Sequence, residues 1–310
     1  MSSLRLATRG SALATTQSGW IASQLEQAHG VKSELHIVRT IGDQRTDVSL
    51  ADVGSIGLFT KEVQEAVLCG DADYAVHSLK DLPAEQTPGL TLAAIPVREE
   101  TRDWLILRPK AFDRSADGFL PLFSNARVGT SAARRLAFLK HFAPESVPCL
   151  LRGNVPTRLE KLASGEYDAI LLAGAGLIRL GLDLSEFQVV KLDPLKWPGA
   201  PGQGALAVEC RSDDTATLNL LSALHDEASA KGVELERSML RALGGGCGLP
   251  LGTTAIAEDD GMRLISALGP TEDEQKLPNF PTLRCADIHG VEFEKIRKAS
   301  LEALTQREGA

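Results

Sequence analysis

The chain has 310 residues, 43% of them hydrophobic and 24% charged. That is an ordinary globular make-up, about two domains long, and it excludes collagen, coiled coil and wholesale disorder. Thirty-three basic residues against 41 acidic ones give a formal charge of −8. A general nucleic-acid binder would read basic, whereas a local basic pocket for an anion is compatible with an acidic protein. The five cysteines, Cys69, Cys149, Cys210, Cys247 and Cys285, are odd in number and never in CxxC, so neither a disulfide framework nor a metal site is expected. The longest apolar stretch, about residues 169–178, is far short of the roughly 20 residues of a membrane span. No secretory signal is read at the N-terminus. The expectation is a cytoplasmic protein with reduced thiols.

Residues 4–8 read as a short strand. Ser11 is placed to cap a helix running to about residue 28, with Ala14, Ile21 and Leu25 on one face. A strand at 35–38 follows, then a helix at 60–68 with Phe59, Val63, Ala66 and Val67 at helical spacing, then strands at 74–77 and 92–95. The charged stretch VREETRD at 97–103 has no period and breaks the chain. Alternation resumes with strands 104–107 and 127–129, helix 131–142, strand 148–151, helix 155–164 and strand 168–173. The turn-rich WPGAPGQGAL at 197–206 predicts a crossing between domains, and 205–210 is one more strand. Helices 215–224 and 227–243 lead to the interruption LGGGCGLPLG. A hairpin of 253–257 with 262–267, a polar segment 269–281 that reads as a mobile loop, and a helix at 291–304 complete the chain. The pattern predicts an α/β protein with a small α+β domain at its end.

Several basic residues fall at the carboxyl ends of predicted strands, the edge where open α/β sheets bind ligands. Arg9 follows the first strand, Lys80 and Asp81 follow 74–77, and Arg152 follows 148–151. Thr130 and Ser131 open a helix carrying Arg134 and Arg135, and Arg158 lies one turn into the next helix. Helix N-termini and arginine both suit carboxylates and phosphates. Any single arginine here could be solvated or paired with a local glutamate; the set points to a multiply anionic ligand. Asp81, in HSLKDLP, has two readings: a carboxylate that stabilises developing positive charge, or a turn cap. Cys247 follows three glycines, on a loop able to present sulfur as a nucleophile, a redox site or an attachment point. The other cysteines, in helix- or strand-like runs, are expected to be buried. GAGLIRLG at 174–181 lacks a complete GxGxxG, so a dinucleotide is discounted.

These residues lie in LATRGSALA, GDQRTD, GLFTKE, AVHSLKDLP, VGTSAARR, LRGNVPTRL, YDAILLAGAGLIRLG, PGQGALAVE and GGGCGLPLG. In that order and spacing the chain resembles the porphobilinogen deaminase (hydroxymethylbilane synthase) family of tetrapyrrole biosynthesis over nearly its whole length. The resemblance implies two periplasmic-binding-protein-like α/β domains with a double crossover plus a small α+β C-terminal domain. Their expected bounds are 1–98 with 201–223, 99–200, and 224–310. It implies a dipyrromethane cofactor, two linked pyrroles bearing carboxylate arms, joined by a thioether to Cys247. It implies stepwise deamination and head-to-tail condensation of four porphobilinogen units, then hydrolytic release of linear hydroxymethylbilane. Asp81 matches the family's catalytic aspartate. Lys80, Asp43, Thr130, Ser131, Arg134 and Arg135 match cofactor-binding positions. Arg9, Ser11, Gln17, Phe59, Arg152, Arg158, Arg179 and Gln203 match substrate-binding ones. No metal, nucleic acid or membrane is implied, and a monomer is. The chain departs from the family pattern at Asp52 and Ile56, where lysines are usual, and at Ala132, where a serine is. A non-catalytic anion-binding protein is the competing reading, and the glycine-flanked Cys247 argues against it.

Overall fold

The computed structural model describes residues 3–40, 60–113, 115, 118–246, 248–271, 273–274 and 283–306. Asp43, Asp52, Ile56, Phe59, Cys247 and part of the 269–281 segment lie outside the described residues. In chain order the elements are β1 (Leu4–Arg9), α1 (Ala12–His29), β2 (Ser33–Val38), α2 (Lys61–Leu68), β3 (Tyr74–Ser78), β4 (Leu90–Ala94) and β5 (Asp103–Leu107). Then come β6 (Arg127–Gly129), α3 (Ala133–Phe142), β7 (Val147–Cys149), α4 (Val155–Ala163), β8 (Ala169–Ala173), α5 (Gly174–Leu180), β9 (Gln188–Lys191) and β10 (Leu206–Arg211). The chain ends with α6 (Thr215–Ser222), α7 (Glu227–Ala242), β11 (Leu251–Glu258), β12 (Gly261–Leu268), β13 (Arg284–Gly290) and α8 (Phe293–Thr305).

The chain forms two compact units, Met1–Glu99 with Gly202–Glu234, and Glu100–Pro201 with Leu235–Ala310. In the first, the strand order is β2-β1-β3-β10-β4, with β1 to β3 parallel and β10 antiparallel to both its neighbours. Leu6, Ile21, Leu25, Tyr74 and Val208 form the core on one face; Ala7, Val63, Val67 and Ala75 form it on the other. The α1 helix starts where Ser11 accepts from the Ala14 N–H at 3.3 Å and stops at Gly30, whose φ of 67° closes the last turn.

The second unit repeats the order as β7-β6-β8-β5-β9, with β6 to β8 parallel and β5 antiparallel to β8 and β9. All five residues of β5 are buried, as a strand covered on both faces requires. Leu105, Leu107, Phe138, Leu139 and Trp197 pack on one side, and Trp104, Ile106, Leu159, Leu162 and Leu177 on the other. Each such aliphatic or aromatic side chain contributes about 1.5–3 kcal/mol when fully buried. A three-stranded antiparallel sheet, β11-β12-β13, lies in the same unit, with Ile296 and Leu304 of α8 buried.

Two strands and one helix were not expected from the sequence. β9 is a short edge strand, half-buried at most, and β13 buries only Ala286, so neither carries an apolar period. The α5 helix, GAGLIRL, is the stretch set aside as an incomplete glycine fingerprint. Asp103, assigned to the charged break, is instead the fully buried first residue of β5. Of the cysteines expected to be buried, Cys69 and Cys285 are exposed, because one ends α2 and the other lies on an outward position of β13.

Gly129 ends β6 where a methyl group has no room: a Cβ would sit 2.9 Å from Tyr167 Cδ1, 3.0 Å from Ile170 Cγ2 and 3.2 Å from Leu151 Cβ. Gly129→Ala is expected to cost about 1–3 kcal/mol by overpacking. Urea unfolding of the two proteins checks this; an unchanged midpoint would mean that the neighbours absorb the methyl group.

Candidate active site

Strand order decides where the ligand edges form. In the first unit β1 is flanked by β2 and β3, and the carboxyl ends of β1 and β3 bound the switch point at which open α/β sheets bind ligands. Arg9 ends β1 and Ser11 caps α1. At the end of β3 the chain makes one tight turn, Leu79–Asp81. Leu79 is fully buried, and its N–H donates to the Ala205 carbonyl at 3.0 Å, which fastens the turn to the start of β10. Gln17, buried in α1, donates to Ser78 Oγ at 3.1 Å. Arg9, Ser11, Gln17, Ser78 and Asp81 thus line one pocket, with Thr60 and His77. Lys80 Nζ lies 3.5 Å from Oε1 of the buried Gln203, whose carbonyl accepts from Arg98 Nε at 2.8 Å.

The Asp81 carboxylate is half-buried, and no hydrogen bond to it is found among the described residues. A capping aspartate would accept a backbone N–H; the turn closes without it, through Leu82 N–H to the Leu79 carbonyl at 3.1 Å.

The second unit has its switch point at β6, flanked by β7 and β8. Thr130 is buried there, its N–H donating to the Cys149 carbonyl at 2.9 Å, and Ser131 is half-exposed. The first turn of α3 then brings in Arg134 and Arg135, 5% and 6% exposed. Both meet Asp103, which has no exposed surface. Arg135 donates from Nη2 to Oδ1 at 2.7 Å and from Nε to Oδ2 at 3.1 Å. Arg134 Nη2 and Trp197 Nε1 add bonds to Oδ2 at 2.8 and 2.9 Å. Burial pushes the Asp103 carboxyl up, but the two guanidiniums and these hydrogen bonds more than offset it and hold it well below the usual carboxylate range. Burial, with the like charge of Arg135, lowers Arg134 from its ordinary value, and Asp103 opposes that shift.

Arg152 and Arg158 lie on either side of the turn into α4, which Asn154 caps through Thr157 N–H at 2.9 Å. Arg158 Nε donates to the Gly153 carbonyl at 2.8 Å. Arg179 is in the last turn of α5. Sequence reasoning missed Asp103, whose partners lie 31, 32 and 94 residues away. It also missed a buried group under α2, in which Gln64 donates to Glu209 Oε2 at 2.9 Å and His77 Nε2 lies 3.1 Å from that oxygen, off the hydrogen-bonding line.

Comparison with known proteins adds a family. Residues 4–219 match the model of the porphobilinogen deaminase dipyrromethane cofactor-binding domain, and residues 230–278 match that family's C-terminal domain. The chain belongs to the porphobilinogen deaminase family. A porphobilinogen deaminase of Xanthomonas oryzae pv. oryzae is 45% identical over 291 residues, covering 94% of this chain and 91% of the relative. Those of Stenotrophomonas maltophilia and Syntrophobacter fumaroxidans are 45% and 42% identical, each covering 88% of this chain, and 88% and 86% of the relatives. An ancestral cationic amino acid solute-binding protein resembles the chain in structure at 14% identity, with a TM-score of 0.46, covering 78% of this chain and 91% of that one. The deaminase family are transferases, the hydroxymethylbilane synthases of tetrapyrrole biosynthesis, with porphobilinogen as substrate and dipyrromethane as cofactor. No helix among the described residues is long and apolar enough to cross a membrane.

The Asp103 pairing has an acid signature. A carboxyl whose folded value is depressed contributes stability above its unfolded value, here 3.8, and loses it as pH falls through the folded value. Asp103→Asn leaves two buried cations without a counter-charge and is expected to cost about 3–5 kcal/mol near neutrality. The gap from wild type should stay flat between about pH 8 and 5 and narrow only below about pH 4. Denaturant unfolding across that range checks it, and a gap that closes above pH 5 would contradict the pairing.

Proposed function

We propose that this chain joins four porphobilinogen units head to tail on a dipyrromethane held through Cys247, and releases linear hydroxymethylbilane by hydrolysis. When bound, the dipyrromethane would supply the free pyrrole α-carbon to which the first unit is joined. Its chemistry, pyrrole N–H donors with carboxylate arms, fits the donor set: two guanidiniums sharing one buried carboxylate at the start of α3, and an acceptor-only carboxylate at Asp81. In this reading Arg134 and Arg135, with Thr130, Ser131, Lys80 and Asp43, hold the cofactor. Arg9, Ser11, Gln17, Phe59, Arg152, Arg158, Arg179 and Gln203 hold substrate and growing chain through their carboxylates. Asp81 is the catalytic group.

The observation that carries this reading is the Asp81 carboxylate, fixed by a turn that does not use it, in a pocket shared with Arg9. A fixed carboxylate stabilises positive charge developing on pyrrole nitrogen during deamination and coupling, without reorganisation at that moment. Arg9 and the Ser11-capped start of α1 act on substrate carboxylates in the ground state. The same reading takes the protein to be a cytoplasmic monomer that binds neither nucleic acid nor membrane. It takes the division into 1–98 with 201–223, 99–200, and 224–310 as domains, β11 to β13 with α8 belonging to the third.

Asp81→Asn keeps size and one acceptor. It is expected to lower kcat by about 10²–10³, with KM changed less because arginines hold the ground state. Ammonia release is measured after cofactor loading is verified by intact mass; a loaded variant with wild-type kcat would remove Asp81 from the chemistry. In a parallel measurement, Cys247→Ser should give a folded protein without the dipyrrole mass and with a lower Tm, because bound cofactor stabilises the native state. A fully loaded serine variant would place the attachment elsewhere.

A further inference from the structure

We propose that Asp103 is a positioning residue for an anion site at the start of α3: one buried carboxylate orients two guanidiniums and leaves them one positive charge in excess, which a carboxylate arm of the dipyrromethane completes. This rests on the reading that Arg134 and Arg135 hold that cofactor.

Three observations support it. The first is charge. Arg134 and Arg135 are buried together against the single carboxylate of Asp103, so the group of three carries a net positive charge away from water. An uncompensated buried charge is costly, and a lone arginine–aspartate pair would tie α3 to β5 as well without it. The second is position. The two arginines are the second and third residues of α3, at the positive end of the helix dipole, where acidic residues are preferred and none is present. The N-cap residue is Ala132, whose side chain cannot accept from the first-turn N–H groups. Cations, unfavourable at that end for folding alone, are what an anion receptor needs.

The third is orientation. Asp103 takes Arg135 side-on through Nε and Nη2, and takes Arg134 through Nη2 alone. Arg135 Nη1 is held by the Leu171 carbonyl at 2.9 Å and Arg134 Nη1 by the Pro198 carbonyl at 3.0 Å. Among the described residues these bonds use two of the five N–H donors of Arg134 and three of those of Arg135. Trp197 Nε1 adds a third bond to Asp103 Oδ2, beside those of Arg134 Nη2 and Arg135 Nε, and so fixes the carboxylate itself. The guanidinium planes are therefore set before any ligand arrives, which is what bidentate recognition of a carboxylate requires.

The test uses the full-length chain, with cofactor occupancy read by intact mass alongside Tm and steady-state kinetics. Asp103→Asn preserves shape and removes the orienting charge. Groups that orient the ligands of a bound metal typically cost about 10–100-fold in metal affinity when lost; by the same logic, occupancy under matched loading should fall at least about tenfold in the folded fraction. In the loaded fraction KM should rise more than kcat falls. A purely structural pair would lower Tm and leave occupancy and the KM-to-kcat split untouched; that result overturns the proposal. If Asp103→Asn does not fold, Arg134→Gln decides. It removes the excess charge while Arg135 keeps Asp103 paired. The proposal expects an apo Tm equal to or above wild type with occupancy lost, and full loading, or a clear fall in apo Tm, overturns it. A wild-type chain without the dipyrrole mass would sink the cofactor reading itself, and the positioning role with it.

Discussion

One carboxylate that never meets water fixes the ligand edge of the second unit. Asp103 begins β5, and its partners come from the first turn of α3 and from Trp197. Alone it could not stay ionised there, since moving a carboxylate into a low-dielectric interior costs far more than folding can supply. Two guanidiniums and an indole N–H make the charge tolerable. The indole is a joint between polar and apolar halves: Phe138 meets its ring edge-on at 5.1 Å between centroids, while its N–H faces the carboxylate.

The first unit fixes its edge differently. The Leu79–Asp81 turn is anchored through backbone and packing, with Leu79 buried and hydrogen-bonded to Ala205. Polar side chains are buried here too. Ala75 and Ala207 lie on the same sheet face as His77 and Glu209, and their small side chains leave room for the imidazole–carboxylate pair beneath α2. Among the described residues, Asp81 is thus held by groups that leave its own oxygens unused by the fold.

Local chemistry was legible in the sequence. The strand–Ser11–helix turn acts through neighbours a few residues away, and the structure keeps it close to where the pattern put it. The α/β class followed from alternating periods, and the family from its ordered motifs. What stayed hidden was long-range. Asp103 sat in the charged run VREETRD and looked solvated, because nothing adjacent showed that its partners would arrive from α3 and from Trp197. Edge strands such as β9 bury too little to leave a period, and the short α5 helix hid behind its glycines.

The strand order also constrains the sequence in which the chain can assemble as it leaves the ribosome. Among the described residues β4 pairs with β10 alone, and β10 is made after the whole of Glu100–Pro201. Until residues 206–211 emerge, β1, β2 and β3 are the described strands that can pair in the first sheet, and β4 lacks its β10 neighbour. The second sheet has no such wait: its five strands lie between Asp103 and Lys191 in one continuous stretch. Of the two five-stranded sheets, the one begun first is therefore completed last, and through that interval β4 presents an open edge of the kind that chaperones shield in nascent chains.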